Sequence, residues 1–379
     1  MSSRCPIIGY DAKRIVRNAT GLGNYGRTLV NDLACLPLCL RLYAPDQGRD
    51  DLRRQVRDRE NICFCHPAST GLPFSKAIWR SHTIISDLSR DGVQLFHGLS
   101  GELPVGICKS GIKSVVTIHD LIFLRHPEYY HWLDTRIYAW KFRQAIREAD
   151  HIIAISECTK RDIIQFGGVD DCRISVIYQS WAQERPSSQQ PGKDTAPPTQ
   201  HPSSRYLLCV GSIEARKNAM LAVKALAYLP AELRLVIVGK HTPYTDQVQA
   251  YADNHGLSQR VSIMHGVSNE QLAHLYAGAE AFVYPSRYEG FGIPIVEAIS
   301  SGLPVVACTG SCLEEAGGPH SLYVDPDDAE AMAAAIRKVL KGAEGREERI
   351  RRSREYVRRF EGNDVARQVY DLYEFLLAT

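Results

Sequence analysis

Tyr284-Pro-Ser-Arg-Tyr-Glu-Gly-Phe-Gly-Ile-Pro-Ile-Val-Glu297 is the stretch on which the reading of the fold turns. It follows a short apolar run at 281–284 and leads into helical periodicity, so it reads as strand, glycine-rich loop and helix. Gly290 and Gly292 let the backbone approach a ligand closely, Pro294 suits a first helical turn, and Gly302 closes the helix. Backbone N–H groups at such a helix start favour an anion, and a diphosphate fits. Glu289 and Glu297, with seven residues between them, would be repelled by the same phosphates. They are therefore expected to accept hydrogen bonds from sugar hydroxyls, one at a transferred sugar and one at a ribose.

Working outward, strand-like runs are expected at 206–210, 233–238, 261–264, 281–284, 304–307 and 321–324, with helical stretches between them. A second set precedes these at 6–9, 93–97, 113–118, 151–155 and 174–178, separated by helical patterns such as 25–36 and 136–149. Strand–helix alternation repeated twice predicts an α/β chain with two Rossmann-like α/β/α domains, each a parallel sheet covered on both faces. The boundary is 183–204, a segment with five prolines and no apolar period, expected as a linker or surface loop. The domains are thus 1–182 and 205–361, followed by an amphipathic helix at 362–379 that turns Val365, Val369, Leu372, Phe375 and Leu376 to one side. The charge-rich run before that helix, from Gly345 to Arg359, reads as a solvated helix face.

The chain has 379 residues, 44% of them apolar, and 45 Lys+Arg against 43 Asp+Glu. That balance excludes a dedicated nucleic-acid binder, so any anionic ligand must be met by local groups. No signal peptide or membrane span is apparent, and a cytoplasmic setting is expected. The eleven cysteines are expected as reduced, mostly buried thiols. Cys63-x-Cys65 and Cys308-x3-Cys312 lack the second pair that structural zinc needs, and no metal site is expected.

Other segments carry chemistry at strand ends. Val210-Gly-Ser-Ile-Glu-Ala-Arg-Lys-Asn218 places Gly211 and Ser212 at a turn, with Arg216 and Lys217 adjacent at a helix start, able to clamp one anion. Gly239-Lys240 ends the next strand and is a candidate lining of a nucleotide pocket. Asn18-Ala-Thr-Gly-Leu-Gly-Asn-Tyr-Gly26 follows the first strand and opens a helix, and His119-Asp120 closes the strand at 113–118. Ser156 is expected to cap a helix, and Asp325-Pro-Asp327 to serve turn and cap chemistry at Asp328.

With these residues in place, the chain resembles the family 4 glycosyltransferases, retaining enzymes of the two-domain GT-B fold. The resemblance spans nearly the whole sequence and is most specific from Gly211 to about Asp328. It implies that the two domains face each other across a cleft and that the last helix crosses back to the first domain. It further implies that Glu289 contacts the donor sugar, that Gly290, Phe291, Gly292 and Ile293 hold sugar and phosphate, and that Glu297 binds the ribose. Arg216 and Lys217 become the diphosphate pair, beside Gly211, Ser212, Gly239 and Lys240. Gly21 and Gly23 approach the donor phosphates, Asn24, Tyr25 and Asp120 lie on the acceptor side, and His119 sits near the reaction centre.

The stretch His119-Asp-Leu-Ile-Phe-Leu-Arg-His-Pro-Glu-Tyr-Tyr130 is similar to bacterial mannosyltransferases that use GDP-mannose. The implied reaction is metal-independent transfer of mannose to a glycan or lipid-linked saccharide in the synthesis of O-antigen, capsule or exopolysaccharide. Transfer from UDP-glucose or UDP-GlcNAc, sugar-nucleotide epimerisation and non-catalytic binding are the alternatives. Peripheral contact with an anionic membrane through the basic stretch that includes Arg14, Arg53 and Arg59 stands beside an ordinary mixed surface.

Overall fold

A computed structural model describes residues 5–67, 75–179, 205–360 and 362–379. The expected linker at 183–204 lies outside the described residues. The chain divides into two compact units, one holding the described residues up to 179 together with those from 360 onward, the other holding 205–359. Each contains one parallel α/β sheet.

The first sheet has seven strands, β1 (Ile7–Asp11), β2 (Cys39–Tyr43), β3 (Ile62–Cys65), β4 (Leu95–Gly98), β5 (Lys113–Ile118), β6 (His151–Ala154) and β7 (Ile174–Val176). They run in the order β3-β2-β1-β4-β5-β6-β7, all parallel. Because successive side chains on a strand point to opposite faces, a sheet covered on both sides must be apolar at consecutive positions. Val115 of β5 enters one hydrophobic cluster and Val116 the other, and Ile153 and Ile152 of β6 divide in the same way. Strands β2 and β3 were not expected from the sequence. They lie at one edge of the sheet, where Arg41 and Cys63 need no apolar neighbour and the uniform apolar signal of a central strand is absent.

The final helix, Gly362–Ala378, belongs to this first unit. Val365, Ala366, Val369, Tyr370, Tyr373 and Leu376 join the cluster formed by Leu29, Val30 and Leu33 of helix Gly21–Leu33. Phe375, expected on the buried side, is exposed. Tyr370 and Tyr373 take the inward stripe because a buried polar partner meets the second of them. Tyr373 Oη lies 2.6 Å from His97 Nδ1, and His97 Nε2 lies 2.8 Å from Thr117 Oγ1. Burial holds the His97 pKa down to about 3, so the ring is neutral and bridges β4, β5 and the last helix.

The second sheet has six strands, β8 (Tyr206–Val210), β9 (Arg234–Val238), β10 (Val261–Met264), β11 (Ala281–Tyr284), β12 (Val305–Cys308) and β13 (Leu322–Val324). Their order is β10-β9-β8-β11-β12-β13, again all parallel. The charged run expected as a solvated face forms helix Arg346–Val357, and several of its arginines work inward. Arg346 donates to the Val339 and Glu280 carbonyls, both at 2.9 Å, and Arg349 donates to His320 O at 2.7 Å. Long stems let guanidinium groups cross the helix flank and satisfy carbonyls at the ends of neighbouring elements.

The expectation of mostly buried thiols fails. Only Cys158, Cys209, Cys308 and Cys312 are buried, while Cys5, Cys35, Cys63, Cys108 and Cys172 are exposed. Cys63 and Cys65 sit on the edge strand β3, which explains their access to solvent. Among the described residues no cluster of His, Cys, Asp or Glu is arranged to hold a metal ion, and no helix is long and apolar enough to cross a membrane.

The neutral His97 makes a pH signature. Its pKa falls from about 6.5 when unfolded to about 3 in the fold, so its stabilising contribution is complete above about 6.5 and is lost as pH falls from there toward 3. Urea unfolding of the first unit should weaken across that window, and less steeply in His97→Gln. Parallel pH profiles for the two proteins would show that His97 is not protected.

Candidate functional site

In the second unit the strand order reverses at β8, which has β9 on one side and β11 on the other. Carboxyl ends of strands diverge at such a point and leave room for a ligand. Gly211 follows β8 with φ +151°, and a Cβ on Gly239, just past β9, would lie 1.9 Å from Gly211 O. Gly239 is therefore demanded by close approach of the strand ends, and Gly211 by its positive φ. Ser212 Oγ donates to Glu214 at 2.8 Å, and Lys240 is exposed beside this turn.

Arg216 and Lys217, expected at a helix start, lie instead in a single 3-10 turn, Ala215–Lys217. Asn218 then takes a left-handed conformation, φ 55°, and its buried amide donates to Pro326 O at 2.8 Å before helix Ala219–Leu226 begins. This break aims the two cations across the strand ends toward the loop after β11. There they meet Glu289: Arg216 Nη1 lies 3.0 Å from Oε2, and Lys217 Nζ lies 2.5 Å from Oε1. Ser286 Oγ also donates to Oε1, and Tyr284 Oη donates to it at 3.3 Å while accepting from Lys217 at 3.0 Å. Glu289 is 8% exposed. Burial alone would raise its pKa, but the charges of Lys217 and Arg216 outweigh this and hold it down to about 2. The clamp and the first glutamate, read separately in the sequence, are one cluster.

The loop carrying Glu289 is fixed from below. Arg216 donates to Tyr288 O at 2.6 Å, and Arg287 N donates to Arg216 O at 2.9 Å, which ties the two loops to each other. Phe291 is buried, and Gly292, with φ +116°, turns the chain into helix Ile293–Ser300, whose first turn holds Pro294. Cys312 was expected only as half of a Cys308-x3-Cys312 spacing with no metal. Its buried thiol donates to Glu289 O at 3.1 Å and Phe291 O at 2.9 Å, so it seats the loop from the neighbouring helix start. Only the return of the chain after β12 places Cys312 there. Glu297 lies one turn into the helix and accepts from Tyr276 Oη at 3.0 Å; burial raises its pKa. Asp327 is held by Arg287, and Asp328 caps the helix starting at Ala329 by accepting from Ala331 N at 2.8 Å.

In the first unit the glycine segment does not follow β1 directly, because helix Lys13–Arg17 intervenes. Gly21 then opens helix Gly21–Leu33 and is exposed, with open space where a Cβ would stand. Gly23 is buried, and its Cβ would meet Asn18 O at 1.8 Å, so this glycine is required by the turn itself. Asn24 accepts from Arg27 at 2.5 Å. Tyr25, expected on the acceptor side, is buried instead, with its hydroxyl 3.2 Å from Thr117 Oγ1 and its ring packed edge-on against His119 at 4.8 Å. It lies on the inward stripe of its helix and supports His119 from within.

His119 donates from Nε2 to Leu99 O at 2.8 Å and accepts at Nδ1 from the Gln179 amide at 2.8 Å. Burial lowers its pKa to about 4, so it is a neutral imidazole with both nitrogens engaged. Asp120 accepts from Ile122 N at 3.2 Å, and Ser156 caps its helix through Thr159 N at 3.0 Å. Gln179 was not legible as a partner beforehand, since it follows β7, far from His119 in the chain.

A cavity of about 80 Å³ lies where the first sheet reverses, between β1 and β4. Asp11 ends β1 and pairs with Arg80 at 3.0 Å; Arg80 also pairs with Glu102, which Lys141 contacts at 3.0 Å. Trp140 lines its mouth. These residues were not singled out in the sequence because they come from four separate segments. Two strand-end sites of opposite character result: a cationic one fit for phosphate, and a mixed polar one fit for hydroxyl groups.

Residues 193–356 match the family model described as glycosyl transferases group 1, and residues 19–180 match that of glycosyltransferase family 4. The chain is 29% identical over 287 residues to O-antigen chain mannosyltransferase B of Escherichia coli, covering 74% of each. It is 28% identical over 257 residues to O-antigen chain mannosyltransferase RfbU of Salmonella typhimurium, covering 68% of each. Sucrose-phosphate synthase from Thermosynechococcus elongatus shares the fold, with a TM-score of 0.74 at 20% identity over 99% of this chain and 100% of that one.

The charge cluster makes its own prediction. Glu289→Gln leaves Arg216 and Lys217 buried without their carboxylate, which should cost about 3 kcal/mol. Pyrophosphate then supplies the missing charge, so its stabilising thermal shift should be larger in the variant than in the native chain. An unshifted melting temperature with no added response to pyrophosphate would disprove the coupling.

Proposed function

We propose, for a chain that belongs to the glycosyltransferases of group 1 and family 4, that it transfers mannose from GDP-mannose with retention of anomeric configuration. The acceptor is a glycan or lipid-linked saccharide in the synthesis of an O-antigen-type polysaccharide. The observation that carries the reading is the buried Arg216–Lys217–Glu289 cluster at the carboxyl ends of β8 and β11. The names of the O-antigen mannosyltransferases among its relatives support mannose as the sugar.

In this reading the donor diphosphate lies against Arg216 and Lys217, and the N–H groups at the start of helix Ile293–Ser300 face the same anion. Charge grows on the diphosphate as the sugar–phosphate bond breaks, and two fixed cations stabilise that change more than they stabilise the ground state. The pair does the work a divalent ion performs elsewhere, so the reaction needs no metal. Glu289, kept ionised, accepts a hydrogen bond from a sugar hydroxyl, and Glu297 accepts one from the ribose. The acceptor hydroxyl attacks from the face the diphosphate leaves, and its proton passes to a departing phosphate oxygen. His119 stays neutral, its nitrogens held by Leu99 O and the Gln179 amide, so it adds no charge at the reaction centre.

Thermal shifts with a panel of nucleotide sugars test the donor. GDP-mannose should stabilise the chain, and mannose transfer to a saccharide acceptor should continue in EDTA. A response confined to UDP-sugars, or activity lost in EDTA and restored by a divalent ion, would overturn those parts; epimerised donor without acceptor would replace the reading. Replacing Arg216 and Lys217 together with alanine should weaken GDP binding by about a thousandfold, and unchanged affinity in a titration would refute their role.

A further inference from the structure

Helix Trp132–Glu148 of the first unit exposes more apolar surface than a solvated helix should. Trp132 is 65% exposed, Leu133 48%, Ile137 42%, Tyr138 42% and Trp140 59%. Single exposed apolar side chains are ordinary, but five within nine residues form a patch of the kind that marks an interaction surface. The opposite face is core: Ala139, Phe142, Ala145 and Ile146 are buried. Trp132, Leu133, Arg136, Ile137, Trp140, Arg143 and Arg147 recur at spacings of about one helical turn, so they share the outward side. Arg136, Arg143 and Arg147 are all exposed, against one exposed carboxylate, Asp134. Lys141, by contrast, is occupied by Glu102.

We propose that this helix face docks the chain on an anionic lipid surface. Indole rings and aliphatic side chains enter the boundary between headgroups and acyl chains, while arginine stems lie along the helix and their guanidinium groups meet lipid phosphates. Charge decides between this occupant and a second copy of the chain. In a two-fold dimer the same patch meets itself, which would set Arg136, Arg143 and Arg147 against their own images. An anionic bilayer complements them. Trp140 also lines the mouth of the Asp11–Arg80–Glu102 cavity, so a saccharide carried on a membrane lipid would be presented beside that cavity. This last point rests on the proposed function; the docking itself does not. The surface differs from the basic stretch that includes Arg14, Arg53 and Arg59, because here the charges alternate with exposed apolar groups.

The test is sedimentation of the full chain with vesicles, without donor or acceptor. It should pellet with phosphatidylglycerol-containing vesicles, much less with phosphatidylcholine alone, and less as salt rises. Replacing Arg136, Arg143 and Arg147 with glutamine should weaken binding to the anionic vesicles about a hundredfold, on the order of fivefold for each charge. Trp132→Ser with Leu133→Ser should weaken it at least about tenfold. Both variants should keep the native urea midpoint and transfer to a soluble saccharide, which separates lost docking from lost folding. Failure of the native chain to pellet at low salt, or equal binding by native chain and variants, would overturn the proposal. So would self-association without lipid that the Trp132 and Leu133 variant abolishes, since the patch would then belong to a second copy. None of these outcomes bears on the transferase reading, which the donor panel and the Arg216 and Lys217 variants address.

Discussion

A carboxylate held by two cations in a nearly dry volume organises the second unit. Taking Glu289, Arg216 and Lys217 out of water is costly, and a buried ion pair of this kind returns little net stability compared with apolar packing. Its value lies in position. The two loops that supply the charges are tied by Arg287 N to Arg216 O and by the Arg216 guanidinium to Tyr288 O, and Cys312 seats the second loop from behind. Groups fixed in this way need little reorganisation when a ligand's charge changes, which is the condition for strong electrostatic stabilisation.

The sheets make that placement possible. Parallel strands put all their carboxyl ends at one edge, and the reversal at β8 opens a gap at that edge. Gly239 lets β9 end against Gly211 O, and the loop after β11 returns Glu289 to Arg216 and Lys217 beyond β8. The first unit repeats the logic at β1 and β4, but fills the gap with a chain of paired charges from Asp11 to Lys141 instead of an array of amides. Its histidines are used as neutral polar bridges. His97 joins β4 and β5 to the final helix, and His119 is buttressed by Tyr25, Leu99 and Gln179.

Much of this was legible in the order of residues. Strands β5, β8 and β11 have the limits their apolar runs predict, because central strands of a doubly covered sheet are apolar throughout. The edge strand β3 and its neighbour β2 were missed because they are short and, away from the centre of the sheet, admit Arg41 and an exposed Cys63. The glycine-rich loops and the Arg-Lys pair stood out because close backbone approach and anion binding restrict residue type at adjacent positions. The inward side of the last helix was misjudged at Phe375, because its period alone does not reveal that a tyrosine has a buried histidine to meet.

The sequence by itself determined two parallel α/β units, their family, and the two segments that bring charge to a strand end, because each of these depends on neighbours within a few residues. Tertiary structure alone decided that Glu289 is shared by Arg216 and Lys217, that Cys312 holds the loop and Gln179 engages His119, and that Tyr25 lies inside. Each of those pairs joins residues from separate elements, and only sheet order and helix packing bring them within hydrogen-bond distance.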